Sequence, residues 1–247
     1  MTLESIDLLF LVLLLIVALL YSSVGHGGAS GYIALMTIWG IEVTTVRSTA
    51  LVLNGFVSLI AFIQYYRQGH FKWSLTYPFI ITSVPFAFLG AMIAVDSEVY
   101  KLILGIILCL SVIRLLITFR EKEGPPREMK MWIAMTAGAA IGFLSGMIGI
   151  GGGIILSPLI LLAGWAGIKN TAATSALFIF VNSIAGLIGV WTKHQFVFSA
   201  QTSIWIGVAV IGALAGAYWG SRVAPIKQMR YILALVLIVA SYKLVFT

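Results

Sequence analysis

The chain has 247 residues, of which 61% are hydrophobic and only 9% charged, and its mean hydropathy is +1.08. Water-facing domains carry roughly a quarter of their residues as charges, so this composition excludes a soluble enzyme, a disordered chain and a nucleic-acid binder. The formal net charge of +7 then reads as basic loops that fix orientation in a bilayer.

A spanning helix needs about 20 apolar residues, so the length accommodates roughly eight to ten membrane segments and no separate soluble domain. In chain order, the first apolar run covers about 6–24 and is followed by the break Gly25-His26-Gly27-Gly28. A short apolar piece, about 29–39, comes next, then longer segments at about 44–66, 73–95 and 99–119. Arg120 to Lys130, with Pro125-Pro126, is the hydrophilic linker. The pattern then repeats: 131–148, the break Gly149-Ile150-Gly151-Gly152-Gly153, a short piece to about 163, and segments at 170–192, 199–222 and 227–246.

Local sequence repeats as well. Ser23 to Gly28 aligns with Met147 to Gly152, 124 residues later. Ser48-Thr49-Ala50-Leu51 aligns with Thr174-Ser175-Ala176-Leu177, and Leu89-Gly90-Ala91 with Ala215-Gly216-Ala217, both 126 residues later. Ordered matches at nearly constant spacing indicate an internal duplication. The expected fold is an all-α polytopic membrane protein: a first repeat at 1–119, a cytoplasmic linker at 120–130 and a second repeat at 131–247.

The Lys/Arg distribution bears on orientation. If the short pieces count as passes, each half has five and the halves are inverted. Leaving out Arg114 within a span, the inside then holds ten basic residues and the outside four, Arg47, Lys101, Lys193 and Lys243. With four passes per half and parallel halves, the split is eight to six. The positive-inside rule favours inversion, with the N-terminus outside. The chain's start shows no cleavable signal pattern: Glu4 and Asp7, not basic residues, flank a full-length apolar run.

The paired glycine breaks carry the strongest chemical signal. Clustered glycines interrupt a helix, and in lipid a broken helix is tolerated only where its backbone is buried in protein or lines a cavity. The short helices that follow would begin with free N–H groups and the positive end of a dipole, a setting for an anion at the midplane. Gly25, His26, Gly27, Gly28, Ala29 and Ser30 would form one side, and Gly149, Gly151, Gly152, Gly153 and Ile154 the other. Ser48, Thr49, Thr174 and Ser175 offer hydroxyls that suit an oxyanion; bonding within the helix bundle is the competing role. Asn54 and Asn182 lie one or two turns later and fit the same cavity. Arg47 precedes Ser48-Thr49, where it could attract or gate an anion or act as an interface anchor. His26 is a candidate proton carrier or a satisfied core histidine, and Ile150 at the matching place makes the site asymmetric. Most glycines elsewhere read as helix-packing positions, and tryptophans near segment ends as interfacial anchors. Cys109 is the sole cysteine, and the histidine spacing offers no metal motif. No nucleotide-binding motif and no nucleophile–base pair is recognisable, so neither a cofactor nor catalysis is expected.

The chain resembles the TauE/SafE sulfite exporter family, the sulfonate-permease-like group, over nearly its whole length. The resemblance rests on Gly146-Met147-Ile148-Gly149-Ile150-Gly151-Gly152-Gly153, on Pro158 and on Ala172-Ala173-Thr174-Ser175, with a weaker copy in Val24 to Gly28 and Ser48-Thr49. It implies a transporter of sulfite, sulfonates or related organosulfur anions in a cell membrane. Export driven by the membrane potential or a proton gradient is the expected mode, moving negative charge out of an inside-negative cell. Protons as coupling ion and a homodimer are compatible with the sequence. The rival readings are a carrier of carboxylates or neutral metabolites, an intramembrane enzyme, and a membrane scaffold.

Overall fold

The computed structural model describes residues 8–93, 126–194, 196, 198–225 and, beyond them, 227–229, 231, 232, 234, 235 and 238. The expected segment at 99–119 with Lys101, Cys109 and Arg114, the first part of the linker, and Lys243 lie outside the described residues. The described residues are helical, without strands. The elements are α1 (Leu8–Ser23), α2 (Ala29–Ile38), α3 (Val43–Arg67), α4 (Trp73–Ala91), α5 (Met131–Ile148), α6 (Gly153–Ala163), α7 (Ile168–Thr192) and α8 (Ala200–Tyr218). A π-helical turn, Trp219–Val223, follows α8. Among the described residues, five helices are long and apolar enough to cross a membrane: α3, α4, α5, α7 and α8 with its π turn. At 1.5 Å per residue, α2 with its 10 residues and α6 with its 11 reach about 15–17 Å, roughly half a hydrocarbon core.

Each half uses its helices in the same way. α4 packs along α5 as α1 packs along α8, α4 meets α7 as α8 meets α3, and α2 meets α3 as α6 meets α7. Small residues set the close contacts. Gly138, Gly142 and Gly146 on α5 lie against Phe79, Ser83 and Ala87 on α4, with the numbers rising together, so α4 and α5 run parallel. Gly212, Gly216 and Gly220 follow Leu15, Leu19 and Ser23 of α1 in the same sense. A Cβ at Gly146 would overlap the Ala87 carbonyl, and one at Gly216 the Leu19 carbonyl. Without water to drive association in lipid, such close backbone approach and the dispersion it gains hold helices together. α3 and α7 cross at the centre in the opposite sense: Leu51 lies by Gly186, and Asn54 by Ser183.

Hydrogen bonds tie one end of the bundle together. Asn170 Nδ2 donates to the His70 carbonyl (2.7 Å), while Lys169 Nζ (3.2 Å) and His70 Nε2 (3.1 Å) both reach the Ser221 carbonyl. The α3–α4 turn, the start of α7 and the end of the π turn therefore share one face. Trp73, Trp132 and Trp191 stand at helix ends and are more than half exposed, as interfacial anchors are.

Candidate functional site

The two breaks have the same local construction. In the first, the Tyr21 carbonyl accepts from His26 N–H (2.8 Å); in the second, the Ser145 carbonyl accepts from Ile150 N–H (3.3 Å), each position 124 residues from its counterpart. Gly25 and Gly28 have φ of 77° and 92°, and Gly149, Gly151 and Gly152 have 83°, 75° and 75°. These left-handed angles turn the chain sharply and disfavour any side chain. α2 and α6 then start at the turn, each with a glycine at its N-cap position, a residue that has no side chain to cap the first N–H groups.

The breaks meet in the middle of the bundle. Asn54, near the midpoint of α3, joins them: its Oδ1 accepts from Ala29 N–H (3.2 Å), and its Nδ2 donates to the Ile150 carbonyl (3.3 Å) and to Ser183 Oγ (3.0 Å). Gly27 and Gly151 flank this side chain so closely that a Cβ at either would overlap it. His26 makes the second link, with Nε2 3.1 Å from the Gly153 carbonyl and Nδ1 3.2 Å from the Val24 carbonyl. A neutral imidazole has one N–H and serves only one of these acceptors; an imidazolium serves both. His26 and Asn54 are both fully buried, at 0% and 1% exposure.

The other expected residues divide into satisfied and orphaned groups. Ser30 Oγ pairs with Tyr21 OH (2.8 Å), Thr174 Oγ1 with Thr76 Oγ1 (3.0 Å), and Ser175 Oγ with Ser157 Oγ (2.7 Å). These hydroxyls fasten neighbouring helices, the structural role that hydroxyls often take in membranes. Ser48 is buried and has a partner. Arg47 lies at the start of α3, where its guanidinium donates to the Ala91 (3.1 Å) and Gly146 (2.8 Å) carbonyls. It thus sits near the negative ends of α4 and α5, with its side chain beside Gly149. Thr49 Oγ1 and both amide atoms of Asn182 are buried without a hydrogen-bond partner among the described residues. Sequence reasoning does not single out Ser183, Ser145 or Tyr32. Ser183 completes the Asn54 network, whereas Ser145 Oγ and Tyr32 OH are also buried and unpartnered. Lone hydroxyls in apolar helices give no signal of their own; the available one was position, since Ser145 lies four residues before the second break as Tyr21 does before the first.

The sulfite exporter TauE/SafE family model matches residues 9–244. The probable membrane transporter protein y4hK of Sinorhizobium fredii is 36% identical over 233 residues, covering 93% of this chain and 94% of its own length. A probable membrane transporter protein of Methanocaldococcus jannaschii is 30% identical over 188 residues, covering 72% of this chain and 70% of its own. The Bacillus subtilis probable membrane transporter protein YdhB is 23% identical, with 87% and 89% covered. No solved structure matches. A multi-pass helical chain with two buried helix breaks and a family match over nearly its whole length belongs to the TauE/SafE sulfite exporter family, and is a membrane transporter rather than an enzyme.

Proposed function

We propose that the protein is a secondary transporter that carries a small sulfur-containing anion, such as sulfite, thiosulfate or an organosulfonate, out across the cell membrane by alternating access. The observation that carries this reading is the meeting of the two breaks: both short helices begin at one buried point, linked through Asn54 and His26. Helix N-termini present N–H donors and positive dipole ends, which attract an anion without a buried cation. Asn54 Oδ1 accepts from the start of α2, the bond an anion oxygen would otherwise take. The binding site would comprise the glycines of both breaks with Asn54 and His26, and Thr49 and Asn182 would add free polar groups.

The two halves would be inverted repeats that rock about this site. The opposite senses of α3 and α7 support inversion. So does the shared end of His70, Lys169 and Ser221, because parallel halves would put residues 70 and 169 on opposite sides of the membrane. In this orientation the 120–130 linker is cytoplasmic and the N-terminus outside. A proton on His26 would couple transport to a gradient by strengthening its hold on both carbonyls.

Flux into or out of proteoliposomes tests the reading, with sulfite, thiosulfate, sulfoacetate and sulfate compared against a carboxylate. Transport of at least one sulfur anion, faster with a favourable membrane potential, is expected. Flux of the carboxylate alone, or of none of these by folded protein, would overturn it.

A further inference from the structure

The two breaks share a backbone hydrogen bond and their glycine positions but differ in detail: Gly151 is left-handed where its counterpart Gly27 is not, and the side chains around them are different. At the first break, Tyr21 OH bonds Ser30 and Asn54 Oδ1 takes the Ala29 N–H. At the second, the equivalent positions are Ser145 and Ile154, so the Ser145 hydroxyl has no partner. The α6 hydrogen bonds begin with Ile155 and Leu156, both to the Gly152 carbonyl, which leaves the Gly153 and Ile154 N–H groups without an intrahelical acceptor.

Two orphaned side chains lie at the level of this helix start. Ser145 Cβ lies 3.2 Å from where a Cβ at Gly152 would stand, and the Phe178 ring lies 3.0 Å from the same point. Asn182 is one helical turn beyond Phe178 on α7. Gly153 touches Ile179 and Gly151 touches Ser183, so Asn182 is level with the break. The 3.6-residue repeat puts it on the strip that holds Thr174, Phe178 and Gly189, which faces α4. Ser145 is 3% exposed and Asn182 1%. A buried amide with neither donor nor acceptor satisfied is costly and calls for an explanation.

We propose that Ser145, Asn182 and the N–H groups at the start of α6 form the anion subsite, and that it selects an oxyanion that keeps one O–H, such as hydrogen sulfite, over a fully ionised dianion. This rests on the transporter reading above. The helix N–H groups, Asn182 Nδ2 and the Ser145 hydroxyl donate to the anion's oxygens. Asn182 Oδ1 can only accept, so it needs a ligand that donates. Of the side chains described around the breaks, Arg47 is the one with a permanent charge; one Nη donates to two carbonyls, and its buried Nε has no partner among the described residues. His26 and the phenols Tyr21 and Tyr32 are the titratable groups nearby. One negative charge therefore suits the subsite better than two.

The test is binding to the purified, lipid-reconstituted protein by calorimetry, using sulfite and sulfate at pH values on either side of the second ionisation of sulfite, with Asn182→Leu and Ser145→Ala. The expected result is sulfite affinity that rises as hydrogen sulfite forms, and weak sulfate binding at every pH. Each variant should lose roughly tenfold or more in sulfite affinity, since hydrogen bonds to a charged group are strong. Asn182→Leu should also melt at or above the wild-type temperature without ligand, because it removes an unpaired polar group. Protonation of His26 would strengthen both anions alike, so sulfate is the control for it. Wild-type sulfite affinity in both variants, or sulfate binding as tight as sulfite, would overturn the subsite while wild-type flux leaves the transporter reading standing. Absence of flux in the wild type would bring down that reading itself.

Discussion

Asn54 and Asn182 are chemically the same side chain in opposite states. Asn54 has three hydrogen bonds and joins both breaks; Asn182 has none among the described residues. Replacing Asn54 by Leu would leave the Ala29 N–H and the Ile150 carbonyl unpaired in the core. Each unsatisfied group costs about 1–3 kcal/mol. Asn54→Leu should therefore lower the unfolding temperature of the purified protein, and Ser183→Ala should lower it less, because Asn54 Nδ2 keeps the Ile150 carbonyl. An unchanged melting temperature in Asn54→Leu would show that the link between the breaks carries no stability. The sequence makes both asparagines visible, since polar groups in apolar helices are rare enough to notice. It does not tell a satisfied amide from an orphaned one, because the deciding partners, Ser183 and the Ile150 carbonyl, lie 129 and 96 residues away.

At the level of elements, hydropathy places most helix ends within a few residues, since a glycine or a polar turn terminates each run. The expected 131–148 is α5 itself, and 44–66 becomes 43–67. The largest difference is at α4, which ends at Ala91 rather than near 95. The glycine spacings of α5 and α8 signal close packing, but not which helix they meet. Their partners, α4 and α1, are set by how the halves assemble. Arg47 shows the same limit: its charge is legible, while its two carbonyl acceptors come from α4 and α5. The inverted arrangement makes a direct demand on the two long-helix turns. With Cys109 replaced by alanine, single cysteines at Gln68 and Lys193 should react with a membrane-impermeant maleimide from opposite sides of the membrane. Labelling from the same side is what parallel halves require, and it would contradict inversion.

For the molecule as a whole, scarcity of charge decides both location and chemistry. A chain with 9% charged residues belongs in lipid, and in lipid the chain must satisfy its own backbone groups. Among the described residues, the starts of the two short helices leave N–H groups without an intrahelical acceptor, and a few buried side chains near them have no partner. The breaks themselves are legible in sequence as duplicated glycine clusters. That they touch through Asn54 depends on the packing of α3 against α7. The most direct measurement is a crystal structure of the protein with selenite, the selenium analogue of sulfite, located by its anomalous scattering. The account predicts a selenium peak between the two breaks, beside Gly152, Ser145 and Asn182. A peak elsewhere in the protein, or none at a concentration that saturates selenite flux, would contradict it.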